Sequence, residues 1–218
     1  MIINFKCLKS AMEYPKSIAK LHNKEVGNVD QFRYLGDEIK YAEPSTGDAE
    51  IDLRITIAEN KFFELAKKFT NRRTTLKTRV MILNSIVRSA LTYSCQTWNL
   101  TQQQKAKINS VYCKMLRRMV NNGFKRKVDT EFSYHYSNED ILQICKTESI
   151  TDYVSKQQRK YLANIIRKPN SYIVKKLHFN DDKVTKVGRP LRTLEDEVLQ
   201  NLGISADNFY RDAIKRKL

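Results

Sequence analysis

The feature that most constrains this fold is a stretch of three consecutive amphipathic segments between Ala49 and Val120. In each segment apolar residues recur at steps of three and four, the spacing that places side chains on one face of an α-helix. The apolar positions are Ile51, Ile55, Ala58, Phe62, Leu65 and Phe69, then Leu76, Val80, Leu83, Val87 and Ala90, then Ile108, Val111, Met115 and Met119. Because such helices can bury their stripes against one another, the pattern predicts a central three-helix bundle.

Local signals place the ends of these helices. The first is expected to end near Phe69, and Thr74 or Thr75 can cap the second, which should run to about Ala90. Thr101 followed by Gln104 has the spacing of a capping box and should begin the third. Asn121-Asn122-Gly123 can supply the left-handed backbone that ends it.

Further helices are expected after Glu131. Ser137 with Asp140, Thr193 with Asp196, and Ser205 with Asn208 each have the capping spacing, and Ser149 or Thr151 can begin a helix that continues through Arg167. The short helix after Ser137 and the longer helix that ends at Arg167 are joined by a tight link, so together they have the outline of a helix-turn-helix.

The amino-terminal residues have a different pattern. Ile18 to Val26 is typical of a short hairpin with Asn23 in its turn, and Val29 to Ile39 carries Phe32 and Tyr34 two apart, as a strand would. The sequence therefore predicts a mainly α protein with three parts. These are a small N-terminal antiparallel β hairpin over residues 1–48, a helical bundle over 49–130 and a C-terminal helical region over 131–218.

The charge of the chain favours polyanionic partners. Lysine and arginine number 40 against 24 aspartate and glutamate, which gives a formal net charge of +16. In the third helix Lys107, Lys114 and Arg118 fall in a row beside the apolar stripe, and Arg117 borders them. Such a row is either a solvated face or a surface for a nucleic-acid backbone. The same two interpretations hold for the basic loop Phe124 to Lys127, as a linker or as a phosphate clamp.

The sequence carries no motif that indicates catalysis, and we expect neither a metal nor a cofactor. Its four cysteines are scattered, with no C-x-x-C pair, so buried reduced thiols are expected. No glycine-rich phosphate loop, nucleophile elbow or H-E-x-x-H is present. No segment has 18 consecutive apolar residues and the start lacks a signal-peptide layout, so we expect a nuclear or cytoplasmic protein without a membrane partner.

Four stretches, taken in order, resemble a known family. Phe32-Arg33-Tyr34-Leu35-Gly36 matches an F-x-Y-L-G signature, and Lys77 to Trp98 is similar to a pattern that ends S-x-L-x-Y-G-x-E-x-W. Lys160 to Arg167 is similar to R-W-x-G-H-x-x-R, and Gly188-Arg189-Pro190 to a G-R-P before a final short helix. Together they resemble the region after the catalytic palm in reverse transcriptases of non-LTR (LINE-type) retrotransposons, from Val29 to Gly203.

The chain also departs from that family. Ser94 and Gln96 stand where the family often has Gly and Glu, and Leu162 and Asn164 replace Trp and His. The F/Y-A-D-D motif of the palm is absent from this sequence. The resemblance therefore implies a detached piece of an RNA-directed DNA polymerase, with a primer grip, a thumb-like bundle and a post-thumb helical region. Such a piece should not polymerise alone, and its partners would be RNA or DNA, as duplex or hybrid, together with the missing palm and fingers.

By position, the resemblance gives a primer-grip-like role to Phe32, Tyr34, Leu35 and Gly36. With the basic stretches, it gives a set of expected nucleic-acid contacts: Arg72, Arg73, Lys77, Arg88, Lys107, Lys114, Arg117, Arg118, Lys125, Arg126 and Lys127. Thumb contacts to a duplex fall mainly on phosphates, so binding should depend on salt and tolerate different sequences.

Other functions also fit the sequence. The chain could be a domesticated DNA-binding protein that uses the helices from Ser137 to Arg167, which predicts one strongly preferred duplex. It could instead be a protein-interaction scaffold whose charge serves solubility, or a remnant without a selected role. Charge reversal at Lys114, Arg117 and Arg118 separates the scaffold from the nucleic-acid hypotheses, because a scaffold would keep its function.

Overall fold

The structure is a computed structural model that describes residues 17–22, 24–27, 31–34, 37–40, 48–71, 73–120, 126–127, 133–134, 136–179 and 193–215. The chain divides into two compact units, residues 1–50 and residues 51–218. Its described part is mainly helical, which confirms the fold class expected from the periodicity.

The first unit contains two short antiparallel ladders. Strand β1 (Ser17–Leu21) pairs with β2 (Lys24–Gly27), and β3 (Gln31–Tyr34) pairs with β4 (Asp37–Lys40). Because Gln31 pairs with Lys40 and Tyr34 with Asp37, the single run expected from Val29 to Ile39 is two antiparallel strands instead. Apart from the exposed His22 and Lys24, side chains before residue 48 lie outside the described part, so a primer-grip role for this unit stays a prediction.

The second unit begins inside the first helix of the central stretch, three residues after the helix starts. Helix α1 (Asp48–Glu64) is followed by the short α2 (Ala66–Phe69), and a continuous helical rod then covers residues 76–91. The rod consists of α3 (Leu76–Ile82), a π-helical turn (Leu83–Arg88) and α4 (Ser89–Leu91). A 3₁₀ turn (Cys95–Thr97) leads to α5 (Gln102–Met119), which ends before the predicted Asn121-Asn122-Gly123.

The remaining elements follow α5. Two-residue strands β5 (Arg126–Lys127) and β6 (Ser133–Tyr134) pair, and the helices are α6 (Asn138–Cys145), α7 (Ile150–Ile166), α8 (Ile173–His178), α9 (Leu194–Leu202) and α10 (Ala206–Ile214). The sequence pattern did not predict β5, β6 or α8, since each is too short to show a period.

Side-chain caps explain why these helices begin where they do. Thr101 forms a capping box with Gln104, Ser137 with Asp140, and Thr193 with Asp196, as predicted. Among the alternatives left open by the sequence, Thr75 caps α3 and Ser149 caps α7. The expected cap of the last helix is wrong, because Ser205 occupies the N-cap position without a side-chain capping bond.

The main core is built from the predicted stripes. Ile51, Ala58, Leu83, Ile108 and Met119 belong to one buried cluster that joins α1, the rod and α5. The cluster continues past residue 131 into α6 and the start of α7, so the three-helix bundle and the following helices share one core.

A second, smaller core lies around the C-terminal half of α7. Leu162 and Ile166 pack with Val198 of α9 and Phe209 of α10. Helix α7 therefore contributes to both cores. The nearly fully buried Gln158 at its middle donates a 2.6 Å hydrogen bond to the carbonyl oxygen of Trp98.

A buried arginine joins the ends of the central helices. Arg79 is only 4% exposed, and its Nη1 donates to the carbonyl oxygens of Phe69 at 2.9 Å and of Met119 at 2.6 Å. These carbonyls lie at the C-terminal ends of α2 and α5, where helix carbonyls have no partner inside the helix and the dipole favours a cation.

Replacing Arg79 with Met should therefore destabilise the protein. The change keeps an apolar stem but removes a charged donor from two carbonyls, so we expect a loss of about 3 kcal/mol in the free energy of unfolding. Urea denaturation followed by circular dichroism measures it. The control is Arg73→Met at an exposed position, which should change stability by less than about 0.5 kcal/mol. Equal effects of the two substitutions would contradict this role.

Candidate nucleic-acid interface

Two of the expected contact residues are engaged inside the protein. Arg117 donates from Nη2 to the carbonyl oxygen of Tyr136 at 3.1 Å and to Asn138 Oδ1 at 2.6 Å, which ties α5 to the start of α6. The guanidinium of Arg88 lies 4.2 Å from the centroid of the Tyr153 ring, and its Nη1 is 3.4 Å from a carboxylate oxygen of Glu148. Both arginines hold helices together, so they have less freedom to reach a phosphate.

Two lysines of α5 bridge to carboxylates of α1. Lys107 forms a close ion pair with Asp52, and Lys114 Nζ lies 3.9 Å from Glu59 Oε1. All four side chains are more than one-third exposed, and exposed pairs of this kind contribute about 0–1 kcal/mol. A phosphate can therefore compete for either lysine at small cost.

The other described contact residues, Arg73, Lys77 and Arg118, have no carboxylate partner in the described part of the chain. Arg73 and Lys77 are exposed, and they flank the first residue of α3. Arg118 is exposed on α5, where its guanidinium lies 5.1 Å from the centroid of the Phe63 ring.

The α2–α3 turn, residues 66–78, concentrates positive charge. Lys67 and Lys68 of α2 are exposed and form no ion pair among the described residues, which adds them to Arg73 and Lys77. Asn71 Oδ1 accepts from the backbone N–H of Arg73 at 3.0 Å, and Thr75 caps α3. The N-terminus of α3 adds the positive end of its dipole at the same place.

Sequence reasoning missed Lys67 and Lys68 as candidate contacts. Their signal was available, because two adjacent lysines lie between Leu65 and Phe69, the last two positions of the first apolar stripe. What the sequence could not show is that the chain leaves α-helical geometry near Leu65, which has φ −98° and ψ 5°, and that a separate short helix carries both lysines.

The side chains of the remaining expected residues lie outside the described part of the chain. Leu35, Gly36, Arg72 and Lys125 lie outside the described residues. Phe32, Tyr34, Arg126 and Lys127 lie in strands whose backbone alone is described.

The helix-turn-helix outline is present, but its second helix is mostly covered. Along α7 the exposed positions form one stripe, Asp152, Lys156, Lys160 and Asn164. A recognition helix has to present its N-terminal residues to base edges in the major groove. Here Ile150 is buried, and its backbone N–H donates to Asn109 Oδ1 of α5 at 3.4 Å. The geometry therefore favours the α2–α3 turn over α7 as a nucleic-acid interface.

A polar network that the sequence did not reveal holds the π-helical turn to the later helices. The Tyr112 hydroxyl donates to Asn84 Oδ1 at 2.6 Å and lies 3.1 Å from Thr147 Oγ1. Asn84 Nδ2 in turn donates to Thr147 Oγ1 at 3.3 Å. Burial raises the pKa of Tyr112 above its usual value of 10.0, so the hydroxyl keeps its proton and acts as a donor at neutral pH.

The described cysteines are buried and unpaired, as the sequence predicts. Cys95, Cys113 and Cys145 are free thiols. Burial raises the pKa of Cys95 and of Cys145 from 9.0 to about 11, and it also raises that of Cys113. A thiol with a raised pKa is a poor nucleophile, so these cysteines do not indicate catalysis.

Within the ranges that the structure describes, no group of three or more histidine, cysteine, aspartate or glutamate side chains could hold a metal ion. No helix in the same ranges is both long enough and apolar enough to cross a bilayer. Comparison of the chain with models of known protein families, with curated proteins and with solved structures gave no match.

Replacing Tyr112 with Phe should lower stability by about 1–2 kcal/mol, because Asn84 and Thr147 lose a buried partner. Urea denaturation measures the change. The control is Tyr153→Phe, which keeps the ring against Arg88 and removes a hydroxyl that forms no hydrogen bond in the described part of the chain. If the two variants unfolded alike, the network would not stabilise the fold.

The buried thiols predict a loss of stability in alkali. Their folded pKa of about 11 exceeds the unfolded value of 9.0, so their contribution is full below pH 9.0 and is lost as pH rises through about 11. Between pH 8 and 10.5 each thiol should remove on the order of 2 kcal/mol. Urea denaturation of Cys95→Ala/Cys145→Ala should show a smaller loss than the wild type, and an unchanged loss would refute the prediction.

Proposed function

We propose that this chain binds nucleic-acid duplex, double-stranded or RNA–DNA hybrid, through contacts to the sugar-phosphate backbone. In this proposal it is a non-catalytic fragment similar to the thumb and post-thumb region of a LINE-type reverse transcriptase. The observation that carries the proposal is the α2–α3 turn, where Lys67, Lys68, Arg73 and Lys77 are exposed without carboxylate partners among the described residues.

The physical reason for the proposal is the electrostatics of that turn. Four cations on a short, capped segment maintain a positive potential, because no neighbouring carboxylate in the described ranges neutralises them. A nucleic-acid backbone offers phosphates in a regular row, and each neutralised phosphate releases condensed counterions. Arg118 and the weakly paired Lys107 and Lys114 supply further cations on α5.

The quadruple variant Lys67→Gln/Lys68→Gln/Arg73→Gln/Lys77→Gln should bind duplex far more weakly than the wild type. Each phosphate contact contributes about 0.9 to the slope of log affinity against log salt, so the slope should fall by roughly 3 to 4. Fluorescence anisotropy of a labelled 20-base-pair RNA–DNA hybrid between 50 and 300 mM salt measures affinity and slope.

The matched control places the same four neutralisations elsewhere. Lys146, Lys160, Lys176 and Lys215 are all exposed, and changing each to Gln lowers the net charge by the same amount. This control should keep most of the wild-type affinity and slope. Equal losses in both variants would indicate attraction by net charge alone, and a wild type that binds no nucleic acid at 50 mM salt would remove the proposal.

The protein-interaction scaffold is the second candidate, and one observation favours it. Ile173 and Leu177 of α8 are 68% and 73% exposed, and Ile214 at the end of α10 is 65% exposed. Ile173 and Leu177 are four residues apart and share one face of α8, and clustered exposed aliphatic side chains are a feature of protein interfaces. Under this alternative, neutralising the α2–α3 turn would leave function unchanged, whereas Ile173→Asp/Leu177→Asp would abolish it in the cell.

A further inference from the structure

A second surface feature lies on α1 and α5, beside the proposed phosphate contacts. Phe63 is 55% exposed on α1, beside the helix face that packs into the core. Glu59, Phe62, Phe63, Lys114, Met115 and Arg118 line a shallow groove there. The groove is open to solvent, so it suits a flat ligand that rests on a ring rather than one that is enclosed.

The Phe63 ring is held in place from below. It meets the buried Phe62 edge to face, with ring centroids 6.1 Å apart, and Phe62 is stacked on the buried Phe69 at 4.9 Å. An aromatic side chain supported in this way loses little conformational freedom when a ligand stacks on it.

The surroundings of the ring are mainly cationic. The Arg118 guanidinium lies 5.1 Å from the centroid of Phe63, and Lys114 lines the same groove. Glu59 is the one acidic residue of the groove lining, and its contact with Lys114 is long at 3.9 Å.

We infer that Phe63, with Arg118 and Lys114, forms a stacking site for an unpaired nucleobase at the edge of the duplex-binding surface. An exposed ring between cations offers a π face to a base and positive charge to the adjoining phosphates, the combination that binds single strands. Bases inside a closed duplex are already stacked on each other, so a ring on a helix face can take only a base that is unpaired. This inference rests on the proposed duplex binding and extends it to a single-stranded overhang.

The experiment compares three labelled probes by fluorescence anisotropy at one salt concentration. They are a blunt duplex, the same duplex with an overhang of unpaired thymidines, and the same overhang with abasic sites that keep the phosphates. We expect the wild type to bind the thymidine overhang about tenfold more tightly than the abasic one, as one base–aromatic stack provides. Phe63→Leu should abolish that difference and leave affinity for the blunt duplex and its salt slope unchanged, whereas Phe63→Trp should preserve it.

Tyr172→Leu is the matched control. Tyr172 is 42% exposed, and Lys168 Nζ lies 5.8 Å from the centroid of its ring, so it is also an exposed aromatic beside a cation. The Tyr172→Leu variant should discriminate between the thymidine and the abasic overhang as the wild type does. Thermal unfolding within a few degrees of the wild type shows that Phe63→Leu folds.

The outcomes separate the two proposals. If the wild type binds the blunt duplex with a steep salt slope but does not distinguish thymidine from abasic overhangs, the stacking site is refuted and duplex binding stands. The same conclusion follows if Phe63→Leu distinguishes them as well as the wild type does, or if Tyr172→Leu loses the difference equally. If the wild type binds no probe at low salt, duplex binding itself fails.

Discussion

The arrangement of the central helices depends on one buried cation. Arg79 reaches from α3 to carbonyl oxygens at the ends of α2 and of α5, which lie 10 and 40 residues away in sequence, so three elements meet at one guanidinium. Helix ends inside a protein need partners for their last carbonyls, and a single arginine here supplies two of them. The apolar stripes bring the helices together without direction, whereas this contact fixes where along their length they meet.

The structure divides the many cations into two kinds. Arg79, Arg88 and Arg117 join helices inside the protein, through carbonyl, carboxylate, amide and aromatic partners. The cations of the α2–α3 turn meet no carboxylate in the described ranges and face solvent. Only some of the residues behind the net charge of +16 are therefore free to bind a ligand. Which basic residues can reach a ligand depends on what lies beside each of them in three dimensions.

Local chemistry explains what the sequence could predict. Thr101, Ser137 and Thr193 cap their helices because a capping box needs only residues three apart, which a sequence displays directly. The stripes that form the core were visible for the same reason. The Asn84–Tyr112–Thr147 network joins residues 28 to 63 positions apart, and Arg79 reaches Met119 at 40 positions, and periodicity carries no information at that range.

The same limit applies to the candidate interface. A helical wheel shows which face of a helix carries the basic residues, but it does not show whether a side chain already has a partner. Arg117 and Arg118 therefore look alike in the sequence, although Arg117 is bonded to α6 and Arg118 lies over the Phe63 ring. The sequence gives no function to Phe63, because the helical spacing places its neighbour Phe62, and not Phe63, in the apolar stripe. Only the position of Arg118 relative to the ring distinguishes it.

The π-helical turn at Leu83–Arg88 has a consequence for how this chain can vary in length. A π turn holds one more residue than an α turn, so it behaves like an insertion accommodated inside a helix. Deleting one residue there would restore regular α geometry and leave the two halves of the rod in nearly the same rotational phase, because the wider turn absorbs the extra residue. Arg79 would still face the carbonyls it joins while Leu91 stayed in the core. A deletion in a regular α segment of the rod would instead rotate one half by about 100° relative to the other, so the π turn is the place where this rod tolerates a change in length.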